Sequence, residues 1–241
     1  VCALTEVDFS TKKEANDFKI KDFVTLCPEN DTNEKKIRTV ILVKNTLEKH
    51  IKQRTDYGDR NTVWLEINIP KSPRYLLGGT YREWGSGEDK NISAQINRLD
   101  SLANDLRLIS STQFTTWLAG DFNLDAERYD DESWNLKYVA KKLTEVTSES
   151  GFRRIRVGPT YEYLVDKEIR TSELDYFFTN DTSEEAVGTN VISCGFSDHD
   201  AALLELPVQK EKNKTTIRYE QKSGRIRNEK KYRRDIKKVV A

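Results

Sequence analysis

Four short segments of this chain share one pattern: an apolar run of strand length stops at a cluster of acidic, amide or imidazole side chains. Strand ends can hold side chains rigidly and still expose them to solvent. The polar residues of the four segments are Glu6, Asp121, Asn123, Asp175, Asp198 and His199. Four carboxylates in one set repel one another, and a hard divalent cation such as Mg²⁺ relieves that repulsion. The pattern therefore predicts a metal site assembled from several strand ends.

The rest of the apolar pattern predicts a chain with many strands and few helices. Apolar residues recur at helical spacing over residues 90–110, which predicts an amphipathic helix, and residues 134–146 predict a second one. The predicted strands are Val1–Leu4, Phe23–Cys27, Thr39–Val43, Thr62–Ile69, Tyr75–Tyr81, Thr115–Ala119, Leu174–Phe178, Val191–Cys194 and Ala201–Leu206. Many strands with two interposed helices are typical of an α+β or sandwich architecture.

The formal net charge of zero hides an uneven distribution along the chain. Residues 208–241 contain thirteen Lys or Arg side chains and four acidic ones, a net charge of +9, so residues 1–207 carry −9. We therefore expect one domain over residues 1–207 and a basic tail or linker over residues 208–241. Such a tail suits nucleic acid, although a solvated, partly disordered linker has the same composition.

Three cysteines, Cys2, Cys27 and Cys194, are widely spaced and show no metal-binding pair. This usage argues for a reducing, intracellular compartment. No apolar run approaches the length that spans a membrane, so we expect no membrane partner. The chain contains no methionine and begins at Val1, which indicates an internal piece of a longer polypeptide.

The clustered residue types suit hydrolysis of a phosphodiester bond. Asp121 could deprotonate a water molecule that Asn123 orients, and a metal on Glu6, helped by His199, could neutralise the phosphate oxygens. Asp175 or Asp198 could orient His199. Each motif alone has a structural explanation, since Gly-Asp-Phe-Asn is often only a turn. Their joint occurrence at strand ends favours the catalytic interpretation.

In their order along residues 1–206, these motifs resemble the endonuclease/exonuclease/phosphatase superfamily, which includes apurinic/apyrimidinic endonucleases and pancreatic deoxyribonuclease. Within it, the pattern is most similar to the endonuclease domain of non-LTR (LINE-type) retrotransposons. The matching motifs are Leu4-Thr5-Glu6, Tyr81-Arg82, Gly120-Asp121-Phe122-Asn123, Ser172-Glu173-Leu174-Asp175-Tyr176 and Ser197-Asp198-His199.

The resemblance implies a four-layered α/β/β/α sandwich of two packed mixed sheets, with the site at one end of the sheets. It implies a site for Mg²⁺, with Mn²⁺ as an alternative ion, held by Glu6 and Asp198. The implied catalytic residues are Tyr81, Asp121, Asn123, Asp175 and His199, with Tyr81 contacting the phosphate or the leaving group. The family also places an asparagine on a strand before Leu4-Thr5-Glu6, so we expect this chain to lack the first strand of the fold.

The resemblance further implies a nuclear, Mg²⁺-dependent enzyme that nicks DNA as part of a retroelement polyprotein. A reverse transcriptase would then follow the basic tail as a C-terminal polymerase domain. Two alternatives remain open: a phosphatase on the same scaffold, and a truncated, inactive domain that binds nucleic acid through residues 208–241.

Overall fold

The computed structural model describes residues 1–29, 36–59, 61–83, 92–97, 99–183, 188–195 and 197–207. The strands are β1 (Cys2–Phe9), β2 (Phe23–Leu26), β3 (Ile37–Lys44), β4 (Ile51–Arg54), β5 (Thr62–Ile67), β6 (Tyr75–Tyr81), β7 (Thr115–Asp121), β8 (Arg153–Ile155), β9 (Tyr161–Val165), β10 (Glu168–Ser172), β11 (Asp175–Thr179), β12 (Gly188–Ile192) and β13 (Ala201–Glu205). The helices are α1 (Lys12–Asp17), α2 (Ile92–Asn97), α3 (Leu99–Ser110) and α4 (Lys137–Glu149). The predicted basic tail, residues 208–241, lies outside the described residues.

A six-stranded mixed sheet forms the centre of the fold, in the order β4-β5-β6-β7-β11-β8. Strands β6 and β7 are parallel, and the other neighbouring pairs are antiparallel. The central strands β5, β6 and β7 are buried along most of their length, which explains their apolar sequences. The predicted strand over residues 75–81 is confirmed at both ends.

Helices α2, α3 and α4 cover one face of this sheet. Their apolar residues, among them Leu106 and Leu143, join a large buried cluster with Trp64, Leu118 and Tyr176 of the sheet. The predicted helix over residues 90–110 is observed as α2 and α3, with residues 90, 91 and 98 outside the described set. The second predicted helix begins three residues later than expected, at Lys137, because residues 131–137 form turns closed by backbone hydrogen bonds.

The opposite face of the central sheet packs against a second β layer. One part of this layer is an antiparallel sheet in the order β1-β3-β2, and the other is the hairpin of β12 and β13. Ile41 and Val43 of β3 contact Val63 and Leu65 of the central sheet. The β12–β13 hairpin joins the core through residues such as Leu204, which packs with Trp117 and Phe177.

Helix α1 completes the layers on the outer face of the three-stranded sheet. Its buried Ala15 packs with Val40 of β3 and with Leu4 and Val7 of β1. The order of layers is therefore helix, sheet, sheet, helices, which confirms the predicted four-layered α/β/β/α sandwich. The mixed strand directions occur in the six-stranded sheet, and the described three-stranded sheet is antiparallel. Among the described residues, no helix combines the length and apolar character that a membrane crossing requires.

Candidate active site

Three of the predicted site residues form a row across one end of the six-stranded sheet. Tyr81 and Asp121 are register partners at the ends of the parallel strands β6 and β7. Asp175 begins the antiparallel strand β11 and is the register partner of Asp121. Neighbouring strands in a sheet lie about 4.8 Å apart. Side chains from three distant parts of the sequence therefore meet at one edge.

Asp121 lies at the centre of this row, and only 1% of its surface is exposed. Its Oδ1 accepts a hydrogen bond from the backbone N–H of Asn123 at 2.8 Å. Its Oδ2 is buried and has no hydrogen-bond partner among the described residues. Burial, followed by the negative charge of Asp175, raises the pKa of Asp121 to about 7. The charge of Glu6 acts in the same direction, which indicates that this carboxylate also lies near the site.

Asp175 and His199 form a close pair beside Asp121, with 2.8 Å between His199 Nδ1 and Asp175 Oδ2. Burial opposes a charge on the imidazole, but the hydrogen bond to Asp175 and the charges of Asp175, Asp121 and Asp198 outweigh it. Together they raise the pKa of His199 to about 9. His199 is therefore an imidazolium at neutral pH. The ring of Tyr161 contacts the imidazole, with 4.8 Å between ring centroids.

Thr160, which the sequence patterns did not single out, fixes the geometry of this pair. It is buried, and its hydroxyl oxygen accepts hydrogen bonds from the backbone N–H groups of Leu174 and Asp175 at 3.2 and 3.1 Å. Its carbonyl accepts a 2.7 Å hydrogen bond from the N–H of Asp200, next to His199. Thr160 thus links the segments that carry the acid and the imidazole. A threonine in a loop carries no local sequence signal for such a role.

Glu6 reaches the site from β1 of the other sheet. Strand β1 has an irregular register between Thr5 and Phe9, and Glu6 has a left-handed φ of 55°. This local bend brings its carboxylate to the Tyr81 hydroxyl, which donates a 2.5 Å hydrogen bond to Glu6 Oε1. Burial, then the hydrogen bond to Glu6, raises the pKa of Tyr81. The guanidinium of Arg38 lies 5.1 Å from the centroid of the Tyr81 ring and 3.9 Å from Glu6.

Asn123 follows Asp121 in a tight turn, and its φ of 48° lies in the left-handed region that asparagine tolerates better than most residues. Its side-chain amide donates to the carbonyl of Arg82 at 3.0 Å. The structure thus brings Glu6, Tyr81, Asp121, Asn123, Asp175 and His199 into one connected group. Asp198 is exposed beside His199 and forms no hydrogen bond or ion pair with a described residue.

The residues of this group suit a divalent cation. Asp121 and Asp175 each offer a carboxylate oxygen, and His199 offers a ring nitrogen that can bind a metal only after losing its proton. The three atoms lie within 4.8 Å of one another. Burial and then the repulsion between carboxylates raise the pKa of Asp121, and a hard cation relieves such repulsion. This cluster differs from the predicted ligand pair of Glu6 and Asp198, whose assignment stays a prediction.

Comparison with known proteins gives no match to any family model and no match among curated proteins. Solved structures do match. The endonuclease domain of TRAS1, a telomere-specific non-LTR retrotransposon, superposes with a TM-score of 0.57 at 16% identity, covering 79% of this chain and 83% of that one. An AP endonuclease from Archaeoglobus fulgidus gives a TM-score of 0.54 at 14% identity, covering 85% of this chain and 87% of that one.

The chain has the endonuclease/exonuclease/phosphatase fold. A third structure with this fold, D. rerio TDP2 complexed with single-strand DNA product, superposes with a TM-score of 0.52 at 12% identity, covering 84% of this chain and 83% of that one. Such low identities establish the fold alone, because one fold carries several activities. The chemistry has to be argued from the residues that the endonuclease/exonuclease/phosphatase fold brings together in this chain.

Proposed function

We propose that this chain hydrolyses phosphodiester bonds in DNA with a divalent cation, as the endonuclease part of a non-LTR retroelement polyprotein. The observation that carries the proposal is the convergence of Tyr81, Asp121 and Asp175 at one sheet edge, joined by Glu6 and His199. The matched structures support DNA as the substrate class, since they include a retrotransposon endonuclease domain, an AP endonuclease and a protein bound to single-strand DNA product.

In the proposed reaction, Asp121 and Asn123 activate the attacking water. Asp121 accepts a proton as the water oxygen attacks phosphorus and the bond to the leaving oxygen breaks. A pKa of about 7 suits a general base at neutral pH. The side-chain oxygen of Asn123 accepts no hydrogen bond from a described residue, which leaves it free to orient the water.

His199 and Tyr81 act on the phosphate in this proposal. With its pKa near 9, His199 carries a positive charge that offsets the charge growing on the phosphate oxygens. The raised pKa of Tyr81 keeps its hydroxyl protonated. Its single proton is donated to Glu6 in this structure, and in the proposed reaction the hydroxyl would turn from Glu6 and donate its hydrogen bond to the leaving oxygen once Glu6 holds the cation. Glu6 and Asp198 are the ligands we assign to Mg²⁺ or Mn²⁺, and the bound ion would supply further positive charge at the non-bridging oxygens.

The uneven charge of the chain supports a polymeric, anionic substrate. Residues 208–241 carry a net charge of +9, which suits binding to the phosphates of DNA. In the proposed polyprotein, a C-terminal polymerase domain follows this basic segment, and the protein acts in the nucleus.

The test is a nicking assay on supercoiled plasmid with Mg²⁺, comparing the chain with Asp121→Asn and His199→Ala. Matched controls are Asp17→Asn, an exposed acid on α1, and His50→Ala, which changes the other of the two histidines in the sequence. We expect open-circle product that EDTA abolishes, and a loss of about 10²-fold or more in both site variants. The controls should retain the rate of the unmodified chain.

Equal rates in the unmodified chain and both site variants would overturn the catalytic assignment. A duplex with a 3′-terminal phosphate, tested in parallel, separates the two hydrolytic functions, since release of inorganic phosphate without nicking would favour a phosphatase. DNA binding without either reaction would favour an inactive binding domain.

A further inference from the structure

Arg82 is a buried arginine directly behind the Asp121–Asn123 turn, and only 6% of its surface is exposed. It follows the last residue of β6. Its guanidinium donates through Nε to the carbonyl of Phe122, through Nη2 to the carbonyl of Asn123 at 2.8 Å, and through Nη1 to the side chain of Gln95. Removing the charged guanidinium from water costs free energy, and an apolar side chain of similar size would fill the same space at a lower cost in free energy.

The contacts between Arg82 and the turn are reciprocal. The backbone N–H of Arg82 donates to the carbonyl of Asp121 at 2.9 Å. The carbonyls of Asp121, Phe122 and Asn123 therefore all accept hydrogen bonds from Arg82. In return, the side-chain amide of Asn123 donates to the carbonyl of Arg82 at 3.0 Å. One residue thus fixes the backbone path of the whole turn.

This turn needs such support, because Asn123 holds a left-handed φ of 48° while its N–H must reach the carboxylate of Asp121 at 2.8 Å. A relaxed turn would lose that hydrogen bond and move the amide of Asn123 relative to Asp121. Misplacement by about 1 Å can cost a catalytic group about 10²-fold in rate. The geometry of the water-activating pair therefore depends on a residue that is almost fully buried behind the turn.

We propose that Arg82 is the positioning residue of the Asp121–Asn123 pair. The proposal rests on the proposed function for its catalytic consequence, but its structural part concerns only the turn. The planar fork of arginine reaches the carbonyls of Phe122 and Asn123 together, whereas a lysine ammonium supplies a single point of contact. Lysine at this position should therefore support the turn only in part.

The experiment compares Arg82→Met and Arg82→Lys with Arg54→Met in the full chain. Arg54 is a matched control, because it is a part-buried arginine on the edge strand β4 that binds Asp56 and Glu66, outside the site. Two measurements are made: kcat and KM for Mg²⁺-dependent DNA nicking, and hydrogen exchange of the backbone amides of Asn123 and Leu118. Leu118 lies in the buried middle of β7 and reports global opening.

For Arg82→Met we expect kcat to fall about 10- to 100-fold while KM changes less than about threefold. Exchange at Asn123 should become at least about tenfold faster and exchange at Leu118 should not, because only the turn is released. The kcat of Arg82→Lys should lie between that of the unmodified chain and that of Arg82→Met. Arg54→Met should keep the kcat of the unmodified chain. A further variant, Arg82→Ala, leaves room for a free guanidinium ion. Low concentrations of guanidinium should restore part of the kcat that this variant loses, but none of the kcat that Asp121→Asn loses.

An unchanged kcat in Arg82→Met, with active unmodified chain, would overturn the proposal. So would equal acceleration of exchange at Asn123 and Leu118, which would reveal a general loss of stability. If the unmodified chain cleaves no DNA, the proposed function fails, and the exchange at Asn123 still decides whether Arg82 holds the turn.

Discussion

At the scale of single residues, the Asp175–His199 pair provides the clearest electrostatic prediction. His199 is part-buried, and burial lowers its pKa, so the charged form depends mainly on the hydrogen bond and charge of Asp175. We expect Asp175→Asn to lower the pKa of His199 from its value near 9 in the metal-free protein, although Asp121 and Asp198 still favour the charged form. Titration of the imidazole signals by NMR measures this change directly.

The sign of the matching stability effect follows from linkage. The folded-state pKa of His199 exceeds its ordinary value of 6.5, so the pair contributes its full stability below about pH 6.5. That contribution is lost as the pH rises through about 9. Urea unfolding should therefore show a decline in stability between these pH values, and Asp175→Asn should make this decline smaller. If the NMR titration gives the same pKa for His199 in Asp175→Asn as in the unmodified protein, Asp175 does not stabilise the charged imidazole.

At the scale of secondary structure elements, the close approach of β6 and β7 sets the spacing of the catalytic row. Gly120 permits this approach, since a Cβ added there would lie 2.2 Å from the carbonyl oxygen of Thr80. We expect Gly120→Ala to separate the strands, to lower the free energy of unfolding by about 1–3 kcal/mol or more, and to reduce nicking. Denaturant unfolding and the plasmid assay measure both effects.

Gly195→Ala is the matched control, because no described atom lies within 4 Å of a Cβ added at Gly195. This variant should change the free energy of unfolding by less than about 0.5 kcal/mol. A fully stable and active Gly120→Ala variant would contradict the idea that the parallel pair fixes the site.

The most deeply buried strands could be predicted from the sequence, whereas the strands that were missed include the most exposed ones. The first and last residues of strand β6 could be predicted, because the strand is buried on both faces and its sequence is mostly apolar. The β9–β10 hairpin was missed because most of its residues are exposed, including the facing pair Leu164 and Ile169. Its turn places Asp166 and Lys167 at φ values of 52° and 70° without the usual Asn-Gly signal.

A different contrast applies to the site. Asp121 could be predicted because it ends an apolar strand, and Asp175 because it begins one. Thr160 and Arg38 could not, since their contribution comes from contacts with residues distant in sequence, and neither residue type marks a site by itself.

At the scale of the whole molecule, the site depends on the packing of two β layers. The six-stranded sheet supplies Tyr81, Asp121 and Asp175, whereas the three-stranded sheet supplies Glu6. Core contacts between Ile41 of β3 and residues of β5 hold these layers together. The complete group of site residues therefore forms only when both sheets are packed together, and a loosened interface should separate Glu6 from Tyr81 before it unfolds either sheet.

The most direct test of the central claim locates the divalent cation on the protein in solution. Mn²⁺ is added to isotope-labelled protein, and the paramagnetic broadening of backbone amide signals is recorded. We expect the signals of Glu6, Asp121, Asn123, Asp175, Asp198 and His199 to broaden first and together, and Glu6→Gln to weaken the effect. Broadening centred elsewhere, or none at millimolar Mn²⁺, would contradict a metal-dependent site at this edge of the sheets.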